Sequence, residues 1–427
     1  RIDCAKYISK VIENKLYDKE SSVFYIVTNV LANIIPEAPL ILLSNTLDLL
    51  QLITNMPNAN KFLETTGLLI RICPILKYDD NSIVSTSLSL YSKVLSLGIP
   101  LQKSINSFFK VFPDLVDKLN EDNLEKLLNI NASILFKSPN AINDFIKNNK
   151  VCESFIKCIN NSSTKVSLIS LKTLAGLFLK NSCFSLFKDI YQKITDLLKS
   201  ENNSLKGIAA SIFTLYFQKF DISNYFNNEI KEFLVSNLTN QSDLTVCSLK
   251  LCGAISLTFN GAKEIEICIP LIIDLLSSEH SKLSMIVLSS ISSVNPLSPS
   301  LYKSLPVIFN LLAEQDMNPY PLIFAANISI CNSGAIECSK YISFFLKMLL
   351  SNDDNIVKLA FITLERTFEI TENQLFNEED ILKLISYSEK FLNSNYNLQF
   401  LHILDLISIS KSGQNIISKS QLPQILL

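Results

Sequence analysis

Residues 140–177 read NAINDFIKNNKVCESFIKCINNSSTKVSLISLKTLAGL. Two short apolar-rich stretches, centred on Phe145 and Phe155, are followed by the polar break INNSST at 159–164 and then by a longer apolar stretch. Within that last stretch Val166, Ser170 and Leu174 recur every fourth residue, which places them on one face of a helix. Short helix, break, second helix, polar turn and long helix form a unit that cannot bury its apolar stripes alone. Such units become stable only by stacking on others of the same kind.

Working outward, the same arrangement recurs. The polar clusters YDDN (78–81), KSENN (199–203), TNQSD (239–243), SSEHS (277–281) and SNDDN (351–355) each precede an amphipathic segment. One apolar anchor after each turn gives Ile41, Ile83, Leu124, Val166, Leu205, Leu244, Leu283, Leu322, Ile356 and Leu398. The intervals are 42, 41, 42, 39, 39, 39, 39, 34 and 42 residues. Periods of this size are the signature of a repeat array. Four residues past the anchor stands a small residue in six repeats: Ser87, Ser170, Ala209, Ser248, Ala326 and Ala360. Eight past it stands an apolar one, such as Leu174, Phe213, Cys252, Ile291, Ile330, Leu364 or Leu406. The small column predicts close approach of a neighbouring helix. Upstream of several anchors a proline, Pro74, Pro270, Pro306 or Pro423, marks the start of a new short helix.

Composition agrees. The chain has 427 residues, 48% hydrophobic and 18% charged, with Gly 8, Pro 14 and Trp 0; the mean hydropathy is +0.27. There is ample apolar material for a core, and too little glycine for phosphate-cradling loops. Charges nearly cancel, 38 basic against 40 acidic, and Arg1, Arg71 and Arg366 are the only arginines. That argues against nucleic acid, which is read largely by arginine forks on a basic face. No uninterrupted apolar run approaches the ~18 residues of a membrane span; 23–35 is broken by Thr28, Asn29 and Asn33. Ten cysteines without a C-x-x-C spacing read as reduced, buried small hydrophobes of a cytoplasmic protein.

At these residues the sequence resembles the armadillo repeat family, with HEAT repeats the nearest relatives. Residues 140–177, 59–95 and 334–368 follow the armadillo order of parts, and Gly67 stands where the family has its hinge glycine. Most repeats lack that glycine, so several are expected to pack as two-helix, HEAT-like pairs. The resemblance implies an all-α, right-handed superhelical α-solenoid of about ten degenerate repeats. It is read as one continuous array over 1–427, with repeats at 1–57, 58–99, 100–138, 139–181, 182–220, 221–260, 261–297, 298–333, 334–373 and 374–411 and a partial one at 412–427. Arg1 in place of Met and the incomplete last repeat suggest truncation at both ends. The degenerate, Asn-rich style is similar to arrays that follow kinase domains in large proteins.

No catalytic constellation, metal motif or cofactor-binding loop is present, so the reading is non-enzymatic with no cofactor. His280 lies in a polar turn, and His402 falls in the small-residue column, where a core or partly buried role is expected. The run Glu378-Glu379-Asp380 and the pair Asp353-Asp354 stand where carboxylates suit a helix N-terminus.

What remains is surface. Solenoids of this kind bind partners along the concave face lined by the last helix of each repeat. Import adaptors of the importin alpha type use a Trp and Asn ladder there. This chain has no Trp, and ten residues past the anchors only Asn332 matches. Charge is instead uneven: 137–206 holds 11 Lys against 5 acids, and 352–405 holds 10 acids against 4 basic residues. Lys172 and Lys250 share the position six past the anchor, Lys180 and Lys219 the one fourteen past it. These four lysines either line a basic groove for an acidic extended peptide, as in catenin-like armadillo proteins, or are solvated side chains on exposed faces. The function expected is a protein-protein interaction scaffold, one module of a larger protein; the alternative is a transport or vesicle-coat adaptor.

Overall fold

The computed structural model describes residues 21–56, 59–98, 104–221, 225–314, 319–371 and 377–422. Among them every regular element is a helix. The last helices of successive repeats are α1 (Leu40–Thr54), α2 (Asn81–Ser96), α3 (Glu121–Lys137), α4 (Thr164–Leu179), α5 (Asn203–Phe217), α6 (Thr245–Ile255), α7 (Ser281–Val294), α8 (Tyr320–Ile328), α9 (Asp354–Thr371) and α10 (Asn397–Ser408). The chain divides into two compact halves, residues 1–197 and 198–427. In the first half α1 packs on α2, α2 on α3 and α3 on α4; in the second, each of α5 to α10 packs on the next. Each half is thus an α-solenoid.

The polar clusters are helix starts, for a simple reason. The first N–H groups of a helix have no partner within it, and a short polar side chain can accept from them. Asp80 accepts from the N–H groups of Ser82 (2.8 Å) and Ile83 (3.0 Å) at the head of α2. Asn202 does the same for Ser204 and Leu205 at α5. Asn120, Ser163 and Asp353 accept at α3, α4 and α9. Asn377 accepts from Asp380 N–H at 2.7 Å, so the run at 378–380 occupies the first turn of a helix (Glu378–Ser386).

Residues 139–181 fold as three helices, Pro139–Lys147, Asn149–Ile159 and α4, with Phe145 edge-on to Phe155 at 5.5 Å. Residues 59–95 and 334–368 also give three, and Gly67 introduces the break with a left-handed φ of 62°. Residues 104–138 and 225–260 each give two main helices, while 139–181 and 334–368 give three with no glycine at the break, so the hinge glycine does not decide which form a repeat takes. Pro270 and Pro306 lie in first turns and Pro74 just before the short 3-10 turn Ile75–Lys77. Pro423 lies outside the described residues.

The small column is buried throughout: Ser87, Ser170, Ala209, Ser248 and Ala360 are fully buried and Ala326 nearly so. Two anchor assignments need correction. Ile41 is 83% and Leu398 74% exposed. Each is the second residue of its helix, whereas Ile83, Val166, Leu205, Leu283, Leu322 and Ile356 are the third; one residue is a 100° rotation. The buried stripes are Leu43, Leu47, Leu50 in α1 and Phe400, Leu404, Ile407 in α10. His402 therefore leaves the column and is exposed, with Nδ1 against the Glu365 carboxylate. Ile330, the expected apolar residue eight past Leu322, lies beyond the end of α8 and is 55% exposed.

A second close approach was not visible as periodicity. A Cβ placed on Gly261, Gly334 or Gly413 would lie 1.9, 2.0 or 2.0 Å from the carbonyl oxygen of Ile255, Ile328 or Ile407. Each glycine is the third residue of a repeat's opening helix, six residues past the end of a last helix's buried stripe. The chain turns there against its own backbone, and no side chain fits.

Gly334→Ala is expected to lower the denaturation midpoint, because the obstructing atom is backbone. Ala360→Leu and Ala209→Phe should each cost about 1–3 kcal/mol through overpacking, read by denaturant unfolding. Parent-like midpoints in all three would refute the packing register.

Candidate protein-binding surface

The last helices show one stripe to solvent. On α4 it is Lys165, Leu168, Ile169, Lys172, Gly176 and Leu179, at a spacing of three to four residues. Lys172 is exposed in mid-helix on α4, and Lys250 likewise on α6. Lys219 is exposed just beyond the end of α5. None of these three ammonium groups has an ion pair or hydrogen bond among the described residues. The first half thus carries Lys172 and Lys180, the second Lys219 and Lys250.

Lys180 is engaged. Its Nζ donates to the Phe136 carbonyl at 2.9 Å and sits 5.2 Å over the Phe136 ring. The ring rests on Gly176, where a Cβ would come within 2.5 Å of it. Carbonyls at a helix C-terminus lack partners and carry partial negative charge, so a cation from the next repeat satisfies both needs. Lys137 does the same for Leu95 O at 2.7 Å, and Arg366 reaches Ala326 O. Sequence spacing alone could not separate this joining role from a ligand-binding one.

Between α2 and α3 lies a cleft of about 580 Å³, lined by Asn81, Ser82, Ser85, Asn120, Asp122, Asn123, Glu125, Lys126 and Asn129. Lys126 Nζ donates to Ser85 Oγ at 2.6 Å and Asn123 Nδ2 to Asn81 O at 3.4 Å. Sequence reasoning missed this cleft. Its one signal was the crowding of Asn, Asp and Glu on the first half of α3, which reads first as capping. Asn332, the lone match to an asparagine ladder, opens the helix after α8 and is not on a last helix. Asn327 is on α8, and its amide is taken by Ser289 O and Ser292 Oγ.

Other charged groups join repeats. Lys77 meets Asp114 at 2.6 Å, Lys157 meets Asp117 at 2.9 Å and Lys118 meets Asp79 at 2.5 Å. Hydrogen bonds from Lys77 and Lys118 hold the Asp114 and Asp79 carboxyls below their ordinary range. Among the described residues no three His, Cys, Asp or Glu side chains converge to hold a metal ion. No helix among them is long and apolar enough to cross a membrane.

With this geometry in view, two solved structures share the fold. A crystal structure of an engineered protein is 15% identical with a TM-score of 0.68, over 89% of this chain and 98% of that one. A structure concerned with a phosphorylation switch that controls the interaction between cadherin and beta-catenin is 11% identical with a TM-score of 0.64, over 98% and 95%. No family model and no curated protein matches the sequence. At these identities the likeness is one of fold.

The nine described cysteines are unpaired thiols. Burial disfavours the thiolate and pushes Cys73, Cys158 and Cys183 up to about 12 and Cys152 to about 11. At pH 7.5 mass-mapped alkylation of the native protein should leave Cys73, Cys158 and Cys183 unmodified and find the half-buried Cys247 and Cys331 first. A raised thiol pKa stabilises the fold below the ordinary value of 9.0, and that contribution is lost as pH rises toward 12. Melting temperature should therefore fall above pH 9. Rapid native labelling of Cys73 would contradict the buried assignment.

Proposed function

We propose that the chain is a non-catalytic protein-binding scaffold whose last-helix faces hold extended acidic segments of a partner. Lys172 and Lys180 would serve the first half, Lys219 and Lys250 the second. The observation that carries the proposal is the state of Lys172 and Lys250. Both project from mid-helix on the solvent stripe, and neither is neutralised by the protein, although lysines elsewhere are used to join repeats. Lys180 contributes field from its place on Phe136 O. The solved neighbour concerned with cadherin and beta-catenin supports this fold as a frame for protein binding. A cytoplasmic setting suits the unpaired thiols. A place after a kinase domain in a larger protein, and the alternative of a transport or vesicle-coat adaptor, are readings of the sequence that this proposal does not depend on.

Exposed lysine contacts are individually weak and screened by salt, so several must act together. A fluorescent peptide with a run of Asp and Glu should bind the parent at low ionic strength and be released steeply as salt rises. The variant Lys172→Glu/Lys219→Glu/Lys250→Glu should lose most of that binding while melting like the parent. Equal binding by parent and variant would place the partner surface elsewhere.

A further inference from the structure

Four turns that join one repeat to the next in the second half leave a large apolar side chain in solvent. Leu257, Ile330 and Ile409 each stand two residues past the last buried isoleucine of a last helix and four before the glycine that presses on that isoleucine's carbonyl. Leu297 holds the matching place, just before the residue that bounds the next opening helix; those bounding residues are Thr258, Ser298, Cys331 and Ser410. The four apolar side chains are between 51% and 69% exposed. Single exposed apolar residues are ordinary, but recurrence at one structural position is not. A hydrophobic staple would pack each of them on the fourth residue of the helix that follows. Ala262 and Ala335 at that position are fully buried and too short to cover a neighbour, Gln414 is exposed, and Tyr302 is turned to Pro296 and Cys331. Neighbouring turns also touch. Tyr302 Oη donates to the Pro296 carbonyl at 3.0 Å and lies 2.9 Å from Cys331 Sγ, so Leu297 and Ile330 flank one contact. Ser256 Oγ reaches Ser290 Oγ at 3.0 Å, which sets the turn of Leu257 beside α7. Lys263 and Lys303, six residues past Leu257 and Leu297, are exposed and have no ion pair or hydrogen bond among the described residues. The carboxylates on these three opening helices are Glu337, taken by Lys340, and Glu264.

We propose that Leu257, Leu297 and Ile330, with Lys263 and Lys303 beside them, dock an amphipathic helix of a partner protein. That helix carries an apolar residue at every seventh position and carboxylates along its flank. Spacing selects a helix. Packed helices lie about 8–10 Å apart, so the exposed side chains advance by about that much per repeat. Seven residues of α-helix rise about 10.5 Å and return to nearly the same face. In an extended strand about three residues cover the distance, and the third points to the opposite side. The two free lysines favour an acidic flank over a basic one. Other occupants fit less well. Three side chains offer a few hundred Å² at most, short of the roughly 800 Å² that each member of a stable dimer buries. Anionic membranes are held by clusters of about four to eight basic residues, and here two stand with Glu264 beside one of them. The surface uses neither Lys172 nor Lys250, so it goes beyond the acidic-segment reading and does not rest on it.

The probe is a fluorescent, alanine-based helical peptide of about 24 residues with Leu at every seventh position and Glu on both sides of that stripe. A control peptide of the same composition has its Leu residues at uneven spacing. By anisotropy at low salt the heptad peptide should bind the parent about tenfold or more tighter than the control. Leu257→Ser/Leu297→Ser/Ile330→Ser should erase that advantage while melting like the parent, since all three side chains are exposed. Lys263→Gln/Lys303→Gln, which leaves the apolar residues whole, should weaken binding and flatten its salt dependence, and it keeps the test decisive if the serine variant melts early. Equal binding of the two peptides, equal binding by parent and serine variant, or no binding at all would overturn the proposal. So would a parent that ignores the heptad peptide but sediments with phosphatidylserine vesicles, which would assign the surface to a membrane. A parent dimer that the serine substitutions dissociate would assign it to a second copy and overturn the proposal as well.

Discussion

The structure depends on how closely one last helix can approach the next. A single repeat leaves an apolar stripe on each helix open, and those stripes are covered only when α2 meets α3, or α8 meets α9, across a contact that has no room for long side chains. Serine and alanine at Ser87, Ser170, Ala209, Ser248, Ala326 and Ala360 supply that closeness. Gly261, Gly334 and Gly413 supply a second kind, between the start of a repeat and the backbone of the one before it. Side chains then fill what remains, as where Phe361 stacks at 5.4 Å on Tyr396 of the next repeat. Stability in such a stack is mainly a nearest-neighbour property.

Much of this was legible in the sequence because the signals are local and recur. An Asx or serine side chain that caps a helix must stand at its first residue, so the clusters at 78–81, 159–164, 199–203 and 351–355 marked helix starts directly. The buried column followed from a period of four. Reading failed where a one-residue difference in helix start rotates the stripe, at Ile41 and Leu398, and this carried His402 from the column to the surface. The glycine contacts were hidden because they depend on the path of the backbone between helices. Lys180 shows a further limit. Its position in the sequence matches that of Lys219, but only a three-dimensional view shows its ammonium on the Phe136 carbonyl.

Charge on this protein divides into two kinds of work. Lys77, Lys118, Lys137, Lys157 and Lys180 cross from one repeat to the next and end on a carboxylate or a helix C-terminus. Those that end on a carboxylate are neutralised inside the protein, while Lys137 and Lys180, on carbonyls, keep their charge. Lys172 and Lys250, and the carboxylates of Asp122 and Glu125, have no such partner and face solvent or the cleft. A surface that binds by charge needs groups of this second kind, and they cluster on the last helices. The exposed face is also mixed with apolar residues, among them Leu179 at 69% exposure, so a bound segment would gain from burial as well as from charge.

Nearest-neighbour stacking is tested most directly by hydrogen–deuterium exchange, followed peptide by peptide in the parent and in Gly261→Ala. The substitution pushes against the Ile255 carbonyl, at the junction of α6 with the repeat that ends in α7. Amide protection should fall in α6, α7 and the short helices between them, and remain at parent levels in α9 and α10. Protection lost uniformly across 198–427 would mean that the second half folds as one globular core, and would contradict the stacking account.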